Sequence, residues 1–124
     1  MTENEVAKCI VDVAYKTHST LGPGLLESVY ETIMTYELQK RGLRVRRQQA
    51  IPVVYEDVNL DLGFRADLIV EDRVVVEIKI SRGELLHKKQ VITYLRFTNK
   101  KLGLLINFNV DLIKNGISRI VNGL

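Results

Sequence analysis

The chain is 124 residues long, with 46% hydrophobic and 27% charged residues, a formal net charge of +3 and a single cysteine. These values are typical of one globular domain, residues 1–124, that buries its own core. No apolar stretch is long enough to cross a bilayer, and Cys9 has no partner for an internal disulfide. We therefore expect a cytoplasmic protein with no membrane partner, whose small positive charge permits binding to nucleic acid.

Helical spacing of apolar residues predicts two helices in the first third of the chain. The first covers about residues 3–20 and stops at the Gly-Pro-Gly sequence of residues 22–24. The second covers about residues 25–41, and the residues expected to face the core are Leu26, Val29, Tyr30, Ile33 and Met34.

Strict alternation of apolar residues predicts two long neighbouring strands before residue 80. The inward residues of the first are Val58, Leu60, Leu62, Phe64, Ala66, Leu68 and Val70, and those of the second are Val74, Val76, Ile78 and Ile80. A turn at residues 71–73 then pairs these residues, in the order Val70 with Val74, Leu68 with Val76 and Ala66 with Ile78. A slip of one residue would put Leu68 and Val76 on different faces, so the pattern fixes the parity of the register.

The remaining elements complete an α/β fold with a mixed sheet flanked by helices. A third helix is predicted from Ser81 to about residue 99, because residues 81–84 (Ser-Arg-Gly-Glu) have the spacing of a capping box. A short strand is expected at residues 102–107, and an edge strand within residues 112–121, around Gly116. The predicted order is α-α-β-β-β-α-β, followed by the edge strand.

The same register puts four charged residues on the other face of the two long strands, with Asp67 across from Glu77 and Arg65 across from Lys79. Two carboxylates about 5 Å apart repel each other by about 3 kcal/mol at an effective dielectric constant of about 20, so a cation has to offset the pair. One interpretation is a solvated ion network in which Arg65 and Lys79 neutralise the acids. The other is a Mg²⁺ ion held by both carboxylates, beside which Lys79 would stabilise an attacking hydroxide and the charge developing on phosphorus. That second arrangement is typical of phosphodiester hydrolysis.

Two helices supply further candidates for such a site. Glu27, in the first turn of the second helix, would reach the metal directly or through water, or would be an exposed acid favoured by the helix dipole. On the third helix, Gln90 could orient a phosphate or a water molecule, and Tyr94 could stack on a nucleotide or donate to a phosphate. A polar outer helix face is the alternative interpretation of both residues. His87, on the same face, is expected to be a surface histidine.

Three short motifs resemble a known family. Residues 24–30 (Gly-Leu-Leu-Glu-Ser-Val-Tyr) fit the pattern that names the prokaryotic GxxExxY proteins, which are similar to the PD-(D/E)xK nuclease superfamily. Residues 65–67 (Arg-Ala-Asp) and residues 77–79 (Glu-Ile-Lys) resemble the split active-site motif of that superfamily, with alanine in place of the proline that precedes the aspartate. Residues 90–94 (Gln-Val-Ile-Thr-Tyr) resemble the QxxxY helix of its exonuclease-type members. The resemblance extends over nearly the whole chain.

This resemblance implies a restriction-endonuclease-like αβββαβ core, here with an extra N-terminal helix and a C-terminal edge strand. It also implies metal-dependent hydrolysis of nucleic acid, with DNA as the expected substrate and Mg²⁺ or Mn²⁺ as the expected cofactor. The implied catalytic residues are Asp67, Glu77, Lys79, Gln90 and Tyr94, and the implied metal ligands are Asp67, Glu77, Glu27 and the carbonyl oxygen of Ile78.

Three functions compete on these observations. The leading hypothesis is a metal-dependent nuclease that acts on DNA ends or single strands, alone or as a homodimer. The alternative is a catalytically inactive nuclease-fold module that binds nucleic acid or a protein partner, but the complete set of Asp67, Glu77 and Lys79 favours the enzyme. An interaction protein that uses the edge strand near Gly116 would leave both acids unexplained and ranks last.

Overall fold

The computed structural model describes residues 1–60 and 65–124, and these form three α-helices and seven β-strands. In chain order the elements are α1 (Glu3–Leu21), α2 (Glu27–Lys40), β1 (Val45–Ala50), β2 (Val53–Tyr55), β3 (Val58–Leu60), β4 (Arg65–Val70), β5 (Val74–Lys79), α3 (Glu84–Thr98), β6 (Leu102–Asn107) and β7 (Ile117–Val121). A turn of 3₁₀-helix, Ile113–Asn115, precedes β7.

Five of the strands form one mixed sheet in the order β1-β4-β5-β6-β7, in which the β5–β6 pair is parallel and the other pairs are antiparallel. Helices α1 and α2 pack on one face, against a core that includes Leu68 and Val76. Helix α3 packs on the other face, against Ile69 and Val75. The structure therefore confirms the predicted α/β fold, in which helices flank a mixed sheet.

The contact between α3 and β6 depends on a glycine. A Cβ atom at Gly103 would lie 2.6 Å from Cγ1 of Val91, closer than two carbon atoms approach in a packed core. The backbone of β6 therefore lies directly beneath α3, and this close packing holds Gln90 and Tyr94 near the sheet.

Helix α2 turns only part of the predicted face to the core. Tyr30 and Met34 are buried, as predicted, whereas Leu26 and Val29 are exposed and the acidic residue Glu31 is buried. The ring of Tyr30 stacks on Phe108 with a centroid distance of 4.2 Å, which fixes the rotation of the helix about its axis. As a consequence an acidic residue, Glu31, is turned toward the sheet.

The prediction of a single long strand before the turn at residues 71–73 is wrong for Val58 and Leu60. These residues lie in β3, which pairs with β2 outside the main sheet, and both side chains are exposed. Leu62 and Phe64 lie outside the described residues. A hairpin that leaves the sheet has the same two-residue period as a strand that continues it, so the pattern could not distinguish them.

The register between β4 and β5 agrees with the prediction near the turn and departs from it further along. Leu68 lies opposite Val76 and Val70 lies opposite Val74, both as predicted. Ala66 and Ile78 do not form the expected pair, because Ala66 belongs to the core beneath α3 and Ile78 to the core beneath α1 and α2. The two strands have separated by this point.

Helix α3 starts later than predicted. It begins at Glu84, after Gly83 in the left-handed conformation, so Ser81 does not cap it; instead the carbonyl of Ser81 accepts a hydrogen bond from the amide of Asn107. The strand predicted at residues 102–107 is β6, and the expected edge strand is β7. Among the described residues, no helix combines the length and the apolar character needed to cross a membrane.

Candidate active site

Strands β4 and β5 separate at Asp67 and Glu77, where the two carboxylates take over the hydrogen bonding between them. The backbone N–H of Asp67 donates to Oε1 of Glu77 (2.9 Å), and the N–H of Ile78 donates to Oδ2 of Asp67 (2.8 Å). Each carboxylate thus accepts a backbone proton from the opposite strand, in place of a carbonyl oxygen. The structure therefore brings together the two acids that the sequence places opposite each other.

The third member of the predicted set, Lys79, lies next to Glu77. Its Nζ atom is 3.7 Å from Oε2 of Glu77, which is only 2% exposed. Burial, and then the negative charge of Asp67, raise the pKa of Glu77 to about 8, against the opposing effects of the hydrogen bond from Asp67 and the charge of Lys79. One lysine does not balance the buried Glu77 and the half-buried Asp67, so Glu77 is largely protonated at neutral pH unless another cation is bound.

A further acid approaches the pair from α2. Burial is the main cause that raises the pKa of Asp67, and the negative charge of Glu31 adds to it. Glu31 is held by Arg47, whose Nε and Nη2 atoms donate to its Oε2 at 3.1 and 3.0 Å, and by Gln48, whose Nε2 donates to its Oε1 at 2.5 Å. The same Nε2 of Gln48 donates to Oδ1 of Asp67 at 3.1 Å. Gln48 therefore links the α2 acid to the strand acid.

Sequence reasoning missed this link between Glu31, Gln48 and Asp67. Gln48 lies between two residues of β1 that pair with the neighbours of Asp67, and it has a left-handed backbone with φ of 48°. That conformation costs a non-glycine residue about 1–2 kcal/mol. No composition or spacing rule indicates such a backbone at a glutamine, and the burial of Glu31 follows from the rotation of α2, so neither residue was predictable.

Helix α3 contributes Tyr94 and Gln90. Tyr94 is buried, and its pKa is raised, first by burial and then by the negative charges of Glu77 and Asp67, which places it beside the acid pair. Gln90 and Lys79 line one open cavity of about 460 Å³ on this side of the sheet. Tyr94 therefore lies near the acids and is not part of a solvated polar face, whereas Gln90 shares a cavity with Lys79.

His87 lines the same cavity as Lys79 and is half-buried. Burial and the nearby charge of Lys79 lower the pKa of its imidazole, and the charge of Glu27 acts in the opposite direction. Glu27 is half-buried at the start of α2, close enough to His87 for its charge to affect the pKa of the imidazole. Among the described residues of α2, the acid whose negative charge raises the pKa of Asp67 is Glu31, one helical turn after Glu27.

Arg65 does not join the acid pair. It pairs with Ala50 of β1, and its Nη1 donates to the backbone carbonyl of Gln48 at 3.1 Å. The expected placement of Arg65 across from Lys79 is therefore wrong, because β4 has already left β5 and follows β1. The alternative interpretation, a solvated network in which Arg65 and Lys79 both neutralise the acids, therefore lacks Arg65.

The acid pair offers the donors that a hard divalent cation prefers, although the cluster is small. No group of three or more His, Cys, Asp or Glu side chains within residues 1–60 and 65–124 is arranged to hold a metal ion. Asp67 and Glu77 nevertheless present oxygen donors only, and burial raises the pKa of both, so that a bound cation would favour their ionised forms. These properties fit Mg²⁺ chemically, and the backbone of Ile78 adjoins both acids.

The mixed sheet, the flanking helices and the acids at the point where β4 and β5 separate define a restriction-endonuclease-like fold. A family model of the PD-(D/E)XK nuclease superfamily matches residues 4–120, and the chain belongs to that superfamily. No curated protein and no solved structure matches the chain. The narrower GxxExxY resemblance of residues 24–30 stays a prediction.

Proposed function

We propose that this protein is a metal-dependent nuclease that hydrolyses phosphodiester bonds in DNA, with Asp67, Glu77 and Lys79 as its active site. The observation that carries the proposal is a pair of adjacent acids, the buried Glu77 and the half-buried Asp67, that share one lysine in a chain that belongs to a nuclease superfamily. A sheet gains no stability from two adjacent carboxylates, whereas a nuclease needs them.

In this proposal Asp67 and Glu77 hold Mg²⁺ or Mn²⁺, assisted by the carbonyl oxygen of Ile78 and by Glu27. The bound cation would supply a water molecule of lowered pKa and a positive charge next to the phosphate. The donor set supports the assignment of Asp67 and Glu77 most directly, since their oxygens lie on adjoining strands. Glu27 has the weakest support, because its charge acts on His87.

The protein's own residues would do the rest of the work. Lys79 extends from β5 into the open cavity and offers its positive charge to a phosphate oxygen. Gln90, on the wall of the same cavity, would orient the phosphate or the attacking water, and Tyr94 would support it from beneath α3. Gln48 and Glu31 would keep Asp67 in position through the hydrogen bonds already described.

One specific observation favours the alternative, an inactive module that binds nucleic acid or a protein partner. The acids already accept backbone N–H groups from each other's strands, so part of their hydrogen-bonding capacity is met without a cation. In such a module the acids would have a structural role only, and their replacement would destabilise the fold.

Cleavage of linear DNA tests the proposal. Purified protein is incubated with single-stranded and double-stranded DNA, with Mg²⁺ or with a chelator, and the products are separated by length. We expect cleavage that requires Mg²⁺ and is lost in Lys79→Ala. If neither substrate is cut under any metal condition by a folded protein, the nuclease proposal is wrong and the binding module takes its place.

A further inference from the structure

A second cavity adjoins the cavity of Lys79. It has a volume of about 310 Å³ and lies between the start of α3, the end of β6 and the loop that precedes β7. We call it the asparagine pocket, because Asn107, Asn109 and Asn115 line it. His87 forms part of the wall of both cavities, so the asparagine pocket and the cavity of Lys79 lie on either side of one side chain.

The walls of the asparagine pocket are held by hydrogen bonds and close packing. The side chain of Asn107 donates to the carbonyl of Ser81 (2.9 Å) and accepts from the N–H of Asn109 (2.9 Å), which ties the loop to the start of α3. The N–H of Asn107 donates to the carbonyl of Gly116, and a Cβ atom at Gly116 would lie 2.1 Å from the carbonyl oxygen of Asn107. Glycine is therefore required at position 116, where the backbone of the loop packs directly against Asn107.

Several polar groups on these walls have no partner among the residues that the structure describes. The side chains of Asn109 and Asn115 make no hydrogen bond within residues 1–60 and 65–124, and neither does the ring of His87. The acid on the wall, Glu84, is already engaged, since its Oε1 pairs with Lys88 at 3.0 Å and accepts from the hydroxyl of a neighbouring serine. The wall therefore offers the exposed neutral amides of Asn109 and Asn115 together with the positive charge of Arg82.

Amide side chains with paired donors and acceptors suit the edge of a nucleobase, and Arg82 on the same wall supplies the positive charge that an adjoining phosphate calls for. A volume of about 310 Å³ is at the small end of ligand pockets and has room for one base with its sugar. The ring of His87, at the junction of the two cavities, is a surface on which a base can stack.

We propose that the asparagine pocket binds an unpaired nucleobase next to the phosphodiester that lies beside Lys79. This inference rests on the proposed nuclease function and narrows its substrate to single-stranded DNA or single-stranded ends. In a duplex the edge of each base is engaged by its partner strand, so a blunt duplex cannot fill the pocket without unpairing.

Binding without cleavage provides the test. The probe is a fluorescent single-stranded DNA of about twelve nucleotides, a length near that covered by single-strand-binding domains, and the comparison probe is the blunt duplex of the same sequence. Anisotropy titrations in a chelator measure the Kd of wild type, of Asn109→Ala/Asn115→Ala and of the control Gln39→Ala. Gln39 is an exposed amide on α2 whose side chain makes no hydrogen bond with the described residues.

We expect wild type and Gln39→Ala to bind the single strand more tightly than the duplex, and Asn109→Ala/Asn115→Ala to lose about tenfold in single-strand affinity with no change for the duplex. Melting curves check that the double variant is folded; if it is not, the single variants Asn109→Ala and Asn115→Ala replace it. Equal affinity of all three proteins for the single strand overturns the inference, as does the absence of any single-strand binding by wild type.

The two proposals can fail separately. Cleavage of DNA with unchanged binding in the asparagine variants would leave the nuclease in place and remove the base pocket. Single-strand binding that depends on Asn109 and Asn115, in a protein that cuts no DNA, would leave the base pocket in place and remove the nuclease.

Discussion

The hairpin formed by β4 and β5 carries a cluster of acids and cations at each end, and the two clusters behave in opposite ways. At the turn, Asp72 is exposed and is paired with Arg46 and with Lys100, whose Nζ lies 3.0 Å from its carboxylate. The hydrogen bond from Lys100 is the main cause that lowers the pKa of Asp72. At the other end the pKa of Glu77 is raised to about 8, mainly by burial.

The difference lies in burial and in the number of cations for each acid. One exposed acid with two cations needs nothing further, and such a surface cluster contributes little to stability. At the other end the buried Glu77 and the half-buried Asp67 share one lysine, so ionising both acids costs free energy and their pKa values are raised. Raised carboxyl pKa values of this kind are expected where a ligand is bound, and the following predictions test whether the two ends differ as described.

The largest expected effect is on cleavage. Lys79→Ala should lower the rate of DNA cleavage by about 10²–10³-fold, the loss that follows removal of one group that stabilises a transition-state charge. Lys100→Ala, the matched lysine at the turn, should cut at the wild-type rate, because its partner is Asp72 alone among the described acids. Equal rates for the two variants would show that the ends of the hairpin do not differ in function.

A smaller loss is expected from the residue that positions Asp67. Gln48→Ala removes the hydrogen bonds to Oδ1 of Asp67 and to Glu31, and it should lower the cleavage rate about tenfold, since a hydrogen bond to a charged group contributes about 1.5 kcal/mol. The adjacent Gln49→Ala is the control, because the side chain of Gln49 reaches only the backbone of its neighbour. A loss in kcat with little change in KM would indicate positioning rather than substrate binding, and equal activity of both variants would exclude this role for Gln48.

The pH dependence of stability should reveal the raised pKa of Glu77. Between its ordinary pKa of 4.5 and its folded pKa of about 8, the folded protein holds a proton that the unfolded chain has released. The contribution of Glu77 to the free energy of unfolding is therefore complete below pH 4.5 and is lost as the pH rises toward about 8. In metal-free buffer, a rise in pH from 4.5 to about 8 should therefore lower the free energy of unfolding less in Glu77→Gln than in wild type, because glutamine does not ionise.

Thermal melting at several pH values measures that difference. Subtracting the Tm of Glu77→Gln from that of wild type removes the contribution of His87, whose lowered pKa acts in the opposite direction. If the Tm of the two proteins changes with pH in the same way, Glu77 is ionised in the folded state over the whole pH range measured.

The smallest effect is expected at the turn. Asp72→Asn removes an exposed ion cluster and should leave the Tm near that of wild type and the cleavage rate unchanged. A large fall in Tm would show that the surface cluster, and not only the apolar core, holds the hairpin together.

Much of the fold followed from the sequence because apolar periodicity constrains it strongly. Leu68 and Val76 could only share a face if the register had the parity observed, and that parity put Asp67 across from Glu77. Apolar periodicity failed where it carried too little information. Val58 and Leu60 continue the alternation of β4 but belong to a separate hairpin.

The residues that surround Asp67 and Glu77 could not be predicted from the sequence, for a related reason. Glu31 reaches the pair because the stacking of Tyr30 on Phe108 rotates α2, and this long-range contact has no local signal. The left-handed backbone of Gln48 is likewise imposed by the strands around it. Residues on two strands joined by a short turn were predictable, whereas residues that depend on packing between distant elements were not.

The central claim, that Asp67 and Glu77 form a divalent metal site, is tested most directly by melting curves of wild type and Asp67→Asn with and without Mg²⁺. A cation that binds only the folded state stabilises it by about 2.7 kcal/mol at a hundredfold excess over its Kd. We predict that Mg²⁺ raises the Tm of wild type, and that Asp67→Asn stays folded, is equally or slightly more stable without metal, and does not respond. A wild type that ignores Mg²⁺, together with a lower Tm for Asp67→Asn, would contradict the metal site and leave the acids as a structural pair.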